Sequence, residues 1–485
     1  MVFTSTVFVF VFMPLAMAAF FAVPPRWRAW PLLLASAVFY AWGEPVLVLL
    51  ILGTGVATYY FGKLLLRTPA RHRRTVLVVA IVVTCIPLAV FKYAVFIATS
   101  LGFSSWAASV EFPLPIGVSF YTFMAIGYLV DIYRRRDDGA PRLLDFSGFL
   151  AMYPHLVAGP IVRWSHIGPQ LAAPKFNPGM FGYGAFRVAT GLVKKAVVAD
   201  SIAPLADDLW ASGEPSSVGS AWIAVLLYSA QIYLDFSAYS DIAIGLAAMM
   251  GIHFHENFRY PYVARSAREF WQRWHISLGS WFRDYVYIPM GGSRARPVVV
   301  WRNLLVVWGL TGLWHGAAWT FVLWGLYFGV LIGLERYVLG RYLERSPRVV
   351  QHGYGVLVAV CGWVLFRAVD VSQAASYYRT MFGLADVSWW DPTATLAVQR
   401  GWVLFAIAVA LAAGVARPLM DRIRAQTMPP DTFDQGGEFD ATGTPPVAIT
   451  LRTSTFMVVT TVVCLFVATA FLVAVSYSPF IYFRF

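Results

Sequence analysis

Charge is scarce in this chain of 485 residues. Asp, Glu, Lys and Arg make up 13% of it, against about 25% in soluble domains. That shortage excludes a soluble multidomain enzyme, and the 59% apolar content excludes disorder, which requires low hydrophobicity. Cysteine is nearly absent: Cys85, Cys361 and Cys464 lie far apart in apolar runs. They offer neither metal-ligand spacing nor a disulfide framework and read as small packing residues. No metal site and no bound cofactor are expected. The phosphate-binding loop and the dinucleotide glycine pattern are missing. No serine occupies an elbow motif, so Ser-His-Asp chemistry has no foothold. No internal repeat is visible, which counts against a secondary transporter, since many transporter folds carry one.

What is present is hydrocarbon and aromatic rings. Mean hydropathy is +0.64, and aromatic residues reach 16%, with 19 Trp. The chain reads as an all-α polytopic membrane protein. The net charge of +12 does not point to nucleic acid, because the basic residues fall in short clusters between apolar runs, where membrane proteins keep their cytoplasmic anchors. Residues 3–23 form the first apolar run. Ala16-Met17-Ala18 looks like a cleavage site, yet no Lys or Arg precedes the run, as a signal peptide would require. With Arg26 and Arg28 inside, the N-terminus lies outside. Spans at 30–42, 45–66, 75–98 and 113–133 then place Arg67, Arg71, Arg73, Arg74 and Arg134–Arg136 on the same inner side. Further spans are expected near 183–200, 217–235, 236–252, 303–334, 350–367, 401–416 and 453–475. The total is roughly 11 spans, each needing about 20 residues. Residues 147–162, with Pro154, Gly159 and Pro160, read as re-entrant or interfacial, which is tolerated where protein or water surrounds the backbone. Residues 428–446 are polar and read as a flexible cytoplasmic loop inside a single membrane domain, 1–485.

Within residues 303–334, His315 is the one side chain that titrates near neutral pH. Gly309, Gly312 and Gly316 surround it and would allow close helix approach or a break. An intramembrane ionisable residue is a functional candidate, and histidine can accept and return a proton near neutrality; a core histidine bonded to a carbonyl is the plain alternative. Residues 265–296 differ in kind. Arginines alternate with Trp, Phe and Tyr, a composition suited to the membrane interface, and His275 sits among them. This stretch is either an amphipathic helix with His275 as a polar spacer or a cytoplasmic mouth for an anionic, nucleotide-like donor. In the second case Arg273, Arg283, Trp274 and Trp281 are the donor-binding candidates. Asp235 and Asp241 place two carboxylates in an apolar region, which is costly unless they are paired. Lys194, Lys195 or the arginines of 265–296 are candidate partners, with a proton relay as the alternative.

The quoted residues are similar to a known family. LPIGVSF (114–120), YPHLVAGP (153–160), GLVKK (191–195), DFSAYSD (235–241), FWQRWHISL (270–278), WFRDY (281–285), GLWHG (312–316), WVLFR (363–367) and the terminal PFIYFRF (479–485) together resemble the membrane-bound O-acyltransferases, in the bacterial branch around the alginate O-acetyltransferases. Ala238 stands where that branch often has Gly. The resemblance implies helices around a central tunnel in the bacterial inner membrane. It implies transfer of an acyl group from a cytoplasmic thioester, acetyl-CoA as co-substrate, to a hydroxyl acceptor of an exported polysaccharide. It maps the family's principal histidine onto His315 and its second onto His275. It also implies a periplasmic acetyltransferase or other exopolysaccharide-machinery partner, besides membrane lipids. A teichoic acid D-alanyl transferase, a peptidoglycan O-acetylation subunit and, in another class, a proton-coupled transporter using His315, Asp235 and Asp241 are the alternatives.

Overall fold

A computed structural model describes residues 1–110, 112–134, 141–172, 174, 176–428, 450–474 and 480. The expected loop at 428–446 lies outside the described residues apart from Met428. So do Arg135, Arg136 and all of the C-terminal motif except Phe480. Among the described residues there is no strand, only an isolated bridge between Ser217 and Ser388. The chain is an all-α polytopic membrane protein. The helices used below, in order, are α1 (Phe8–Ala22), α2 (Ala29–Ala41), α3 (Val48–Arg67), α4 (Ala70–Ser100), α5 (Val118–Tyr133), α6 (Leu143–Ala151), α7 (Trp164–Ala172), α8 (Pro178–Val193), α9 (Asp200–Trp210) and α10 (Val218–Met249). They continue with α11 (Ala267–Arg273), α12 (Ile276–Phe282), α13 (Pro297–His315), α14 (Trp319–Arg345), α15 (Arg348–Arg367), α16 (Val371–Met381), α17 (Pro392–Ala412), α18 (Arg417–Thr427) and α19 (Leu451–Ala474). Among the described residues, eight helices (α3, α4, α10, α13, α14, α15, α17 and α19) are long and apolar enough to cross a membrane, and α1 and α5 are shorter apolar helices.

Several expected spans have a different extent. Residues 217–235 and 236–252 are one helix of 32 residues, α10. Its Tyr-Leu-Asp-Phe-Ser-Ala-Tyr-Ser-Asp stretch does not break it, because each carboxylate meets a cation: Asp235 meets Lys195, and Asp241 meets Arg187. Residues 303–334 are two helices rather than one run. Gly316 leaves the helix in an extended conformation and Trp319 restarts it, so His315 is the last residue of α13, not the middle of a span. Residues 265–296 are not a single amphipathic helix: α11 and α12 are separated at His275, and a π-helical turn, Arg283–Tyr287, follows. Residues 183–200 divide between α8, a π turn and α9. Residues 145–162 are buried almost throughout, with Pro154 opening a short helical turn, as suits irregular backbone enclosed by protein.

The chain forms two compact units. The first comprises Met1–Leu192, Tyr239–Glu256 and Leu419–Tyr477; the second comprises Val193–Ala238, Asn257–Pro418 and Ser478–Phe485. In the first, α3 packs on α4, α5 and α6, and Phe3, Phe8, Phe39 and Tyr153 pack ring to ring. In the second, α14 packs on both α13 and α15. The α13–α14 seam is narrow because glycines face backbone: a Cβ on Gly312 would lie 2.2 Å from the Phe321 carbonyl oxygen, and one on Gly325 would lie 2.1 Å from that of Trp308. Small residues at such seams are what let membrane helices approach.

Candidate active site

The second unit brings His275 and His315 together, with ring centroids 6.4 Å apart. Both are buried. They come from different local structures, each with an identifiable cause.

His315 is placed by the α13–α14 hairpin. Its ring lies 4.8 Å from Trp314, 4.8 Å from Trp324 and 5.2 Å from Phe366, centroid to centroid, all edge to face. Gly316 follows because a side chain there would run into the Phe321 ring.

His275 is placed by a capped, hydrogen-bonded segment. Ser266 caps α11, its Oγ accepting from the Glu269 amide at 3.0 Å, while Glu269 accepts in return from the Arg265 amide at 2.9 Å. This resembles the Ser-x-x-Glu cap, with the carboxylate bonding the amide one residue before the cap. The buried Glu335 carboxylate accepts from the amides of Ala267 and Arg268 at 2.5 and 3.0 Å, a favourable charge at a helix start. The chain then turns at His275, which has φ +44° and ψ +54° and precedes α12. Only Tyr260 shares a positive φ among the described non-glycine residues. A left-handed residue costs roughly 1–2 kcal/mol and persists where surroundings enforce it. Here the Ile276 amide donates to the Asn257 carbonyl at 3.0 Å, and Leu278 and Gly279 donate to the His275 carbonyl.

Asn257, fully buried, fixes the histidine's chemistry. Its Oδ1 accepts from the Ser277 backbone amide at 3.2 Å and the Ser277 hydroxyl at 2.9 Å. A backbone amide can only donate, so the amide atom facing it is oxygen and not nitrogen. The same oxygen lies 3.2 Å from His275 Nδ1. Nδ1 therefore carries the proton, and Nε2 carries the lone pair. Burial pushes the imidazole down to about 3, so this neutral tautomer holds at physiological pH. Phe236 of α10 stands edge-on to the ring at 4.8 Å, and Trp314 lies 5.6 Å away. Asn257, Ser277 and Glu335 were not singled out in the sequence. The faint signal for Asn257 was an uncharged amide among Phe and Tyr just after α10.

The remaining candidates are distributed less tightly. Trp274 is buried against Trp363 and Phe258. Trp281 packs on Phe282 and Tyr285. Arg273 is half-buried and held by Glu269 at 2.8 Å and by the Arg259 carbonyl at 3.1 Å. Arg283 is exposed and holds Asp284 at 2.8 Å. Asp235 and Asp200 share the buried Lys195 ammonium at 2.8 and 2.5 Å, as the sequence suggested for Asp235. In the first unit, Asp241 is paired with Arg187 at 2.7 Å, and Arg187 also binds Glu256. Arg187 was not among the partners expected for Asp241. The single arginine in the apolar α8 was the overlooked sign.

Two buried imidazoles within one aromatic enclosure, one with its basic nitrogen defined, suit proton transfer to and from a reacting hydroxyl. The membrane-bound O-acyltransferase family pattern matches residues 133–368, which include both histidines. The chain is 37% identical to the probable alginate O-acetylase of Azotobacter vinelandii, over the full length of both. It is 32% identical to the peptidoglycan O-acetyltransferase of Helicobacter pylori, covering 80% of this chain and 81% of that one. To the teichoic acid D-alanyltransferase of Bacillus subtilis it is 27% identical over 45% and 58% of the two chains. The chain belongs to the membrane-bound O-acyltransferase family, and it is an acyltransferase.

Proposed function

We propose that this chain transfers an acetyl group from cytoplasmic acetyl-CoA toward hydroxyl groups of an exported, alginate-like polysaccharide, with His315 as the general base. The observation that carries the reading is the pair of buried rings, His275 and His315, with centroids 6.4 Å apart. A thioester is already activated, so the site needs to deprotonate a hydroxyl and support a tetrahedral oxyanion. The hydroxyl oxygen attacks the thioester carbonyl carbon as His315 accepts its proton. The C–O bond forms, the C–S bond then breaks, and the imidazolium returns the proton to the departing sulfur. A positioned base of this kind contributes typically 10²–10⁴-fold. His275, with its lone pair on Nε2, orients a reacting hydroxyl or thiol through that nitrogen.

The donor's phosphates cannot enter hydrocarbon, so the polyanionic end stays at the inner surface. Arg283, exposed at the start of the π turn, is the better of the two candidate donor contacts, beside Trp274 and Trp281. Arg273 is half-buried between Glu269 and the Arg259 carbonyl and serves as a brace, whereas Arg283, though paired with Asp284, is exposed. In this reading the chain lies in the bacterial inner membrane with its N-terminus outside, an orientation that the basic clusters support. The outer loop expected at 368–400 is shorter than that, since α17 already begins at Pro392, and residues 368–391 are few for discriminating a long polymer, which favours a periplasmic acetyltransferase as partner.

The test uses purified full-length protein in liposomes with labelled acetyl-CoA inside. Label should move to alginate outside, or to a periplasmic acceptor protein, with wild type and not with His315→Ala. Transfer by the His315→Ala protein at near wild-type rates would remove His315 from the mechanism. Label moving only to peptidoglycan fragments would reassign the acceptor to that of the Helicobacter relative. A donor requirement for a charged carrier protein, with acetyl-CoA inert, would favour the D-alanyl reading.

A further inference from the structure

The first unit holds a second histidine cluster that the acyl transfer does not use. α7 contributes His166, and the irregular chain just after α10 contributes His253 and His255. One ring nitrogen from each lies within 4.8 Å of the others. His166 and His253 are buried, with 7% and 1% of their surface exposed, and His255 is partly exposed. The His166 and His255 rings are stacked, with centroids 4.0 Å apart and planes inclined by 28°. The arrangement is braced. His166 Nε2 lies 2.9 Å from the His253 carbonyl oxygen. A carbonyl can only accept, so that nitrogen carries the proton and the other keeps the lone pair. Gln170, one turn along α7, accepts from the His253 amide at 2.7 Å and donates to the His166 carbonyl at 2.9 Å. The peptide bearing His253 is thereby tied on both sides to the helix bearing His166.

Three imidazoles converging in a buried place are poorly suited to carry protons, because like charges would face one another at short range. They are well suited to share one cation. Ligating histidines commonly donate their second ring N–H to a backbone carbonyl, which fixes tautomer and ring orientation; His166 already does so. The donor set is all nitrogen, which suits Zn²⁺, Ni²⁺ or Cu²⁺ and not Mg²⁺ or Ca²⁺. Zn–N bonds of about 2.0–2.1 Å in tetrahedral geometry place ligating nitrogens about 3.3–3.4 Å apart, so nitrogens now as far as 4.8 Å apart close by about 1.5 Å, within reach of side-chain rotation.

We propose that His166, His253 and His255 form a site for one divalent transition-metal ion, best matched by Zn²⁺, which clasps α7 to the chain that follows α10. A water or an exogenous ligand takes the fourth position, and partly exposed His255 gives the ion its way in. Cysteine spacing gives no sign of the site, since Cys85, Cys361 and Cys464 lie far apart in sequence. The signs were the His-x-His pair at 253–255 and a distant third histidine.

The experiment uses the full-length protein, purified in detergent with a tag that binds no metal, stripped with a chelator and dialysed against ZnCl₂. Elemental analysis should find one Zn²⁺ per chain. His253→Gln and His255→Gln should each weaken binding by at least about tenfold, while His352→Gln, outside the cluster, should bind as wild type. Zn²⁺ should raise the thermal unfolding midpoint of wild type and leave that of either cluster variant in place, as mass action on the folded state requires. His255→Gln, at the partly exposed position, is the variant of choice if His253→Gln does not elute as a folded monodisperse species. Less than half an equivalent of Zn²⁺ on wild type at micromolar free ion, or full occupancy of both cluster variants, would overturn the proposal.

Discussion

Asp235 and Phe236 are neighbours on α10, yet they face two differently built regions of the same unit. Asp235 enters an ionic seam, where Lys195 sits between it and Asp200 at 2.8 and 2.5 Å. Phe236 enters the histidine centre, where it walls His275 at 4.8 Å. In the seam, charge is buried and cancelled on the spot. In the centre, the ring neighbours of His275 and His315 include Phe236, Trp314, Trp324 and Phe366, and the bond that orients His275 comes from a neutral amide. A cancelled charge holds helices together and is unavailable to chemistry. A neutral imidazole in an apolar enclosure retains a lone pair that a substrate proton can use. The difference is what favours a structural part for the carboxylate and supports the proposal that the histidines react.

The largest effect that would test this division is at His315. His315→Ala should lower acyl transfer by about 10²–10⁴-fold with unchanged membrane insertion, measured as acetyl incorporation by purified protein. In the seam the expected pattern is the reverse. Lys195→Met leaves the buried Asp235 and the partly exposed Asp200 carboxylates without the ammonium they share, and removing one member of a buried pair costs about 3–5 kcal/mol. The thermal midpoint in detergent should fall sharply, and Lys195→Met combined with Asp235→Leu should recover part of the loss. Should Asp235→Asn keep its thermal midpoint and lose turnover, the seam would be a proton relay and the comparison would fail.

Much of this was legible in the sequence, though unevenly. His315 stood out because an apolar run of 32 residues contains no other group that titrates near neutrality. The close packing of α13 and α14 was signalled by Gly312, whose Cβ would collide with backbone, whereas its counterpart Gly325 on α14 did not stand out. That Asp235 needs a cation followed from the cost of burying a lone carboxylate; that Lys195, one of several candidates, supplies it did not. The continuity of α10 did not show, since a polar stretch inside an apolar run reads as a boundary until its counter-ions are known, and Arg187 lies 54 residues away in sequence from Asp241. The break after His315 was equally hidden: Gly316 is extended because of the Phe321 ring, a tertiary cause. Asn257 left only a faint sign, because its role depends on which atom faces the Ser277 amide.

A smaller effect sharpens the account of the centre. Asn257→Leu removes the acceptor that fixes the His275 tautomer while leaving both histidines in place. Turnover should fall about tenfold to a hundredfold, the range seen when a partner that orients a functional histidine is lost. The loss should appear in kcat with the donor KM unchanged, because the interaction acts on the transition state and not on donor binding. A raised donor KM with unchanged kcat would make Asn257 part of the donor pocket instead.

The smallest effect is a pH dependence of stability. Burial lowers the His275 imidazole from its usual 6.5 to about 3. Below pH 6.5 the unfolded chain takes up a proton at this residue and the folded chain does not. The unfolded state then binds more protons, so stability must fall as pH falls, beginning near 6.5 and continuing toward 3. Above 6.5 both states are neutral at this position and the contribution is level. Asp and Glu residues add their own losses at lower pH, so the useful window lies between about pH 6.5 and 5, above the ordinary carboxylate range. Wild type should lose thermal stability across that window by more than His275→Gln, whose side chain does not titrate. Parallel slopes for the two proteins would mean that water reaches the ring and protonates it in place. The aromatic wall would then not exclude solvent, and the contrast between Phe236 and Asp235 would reduce to geometry alone.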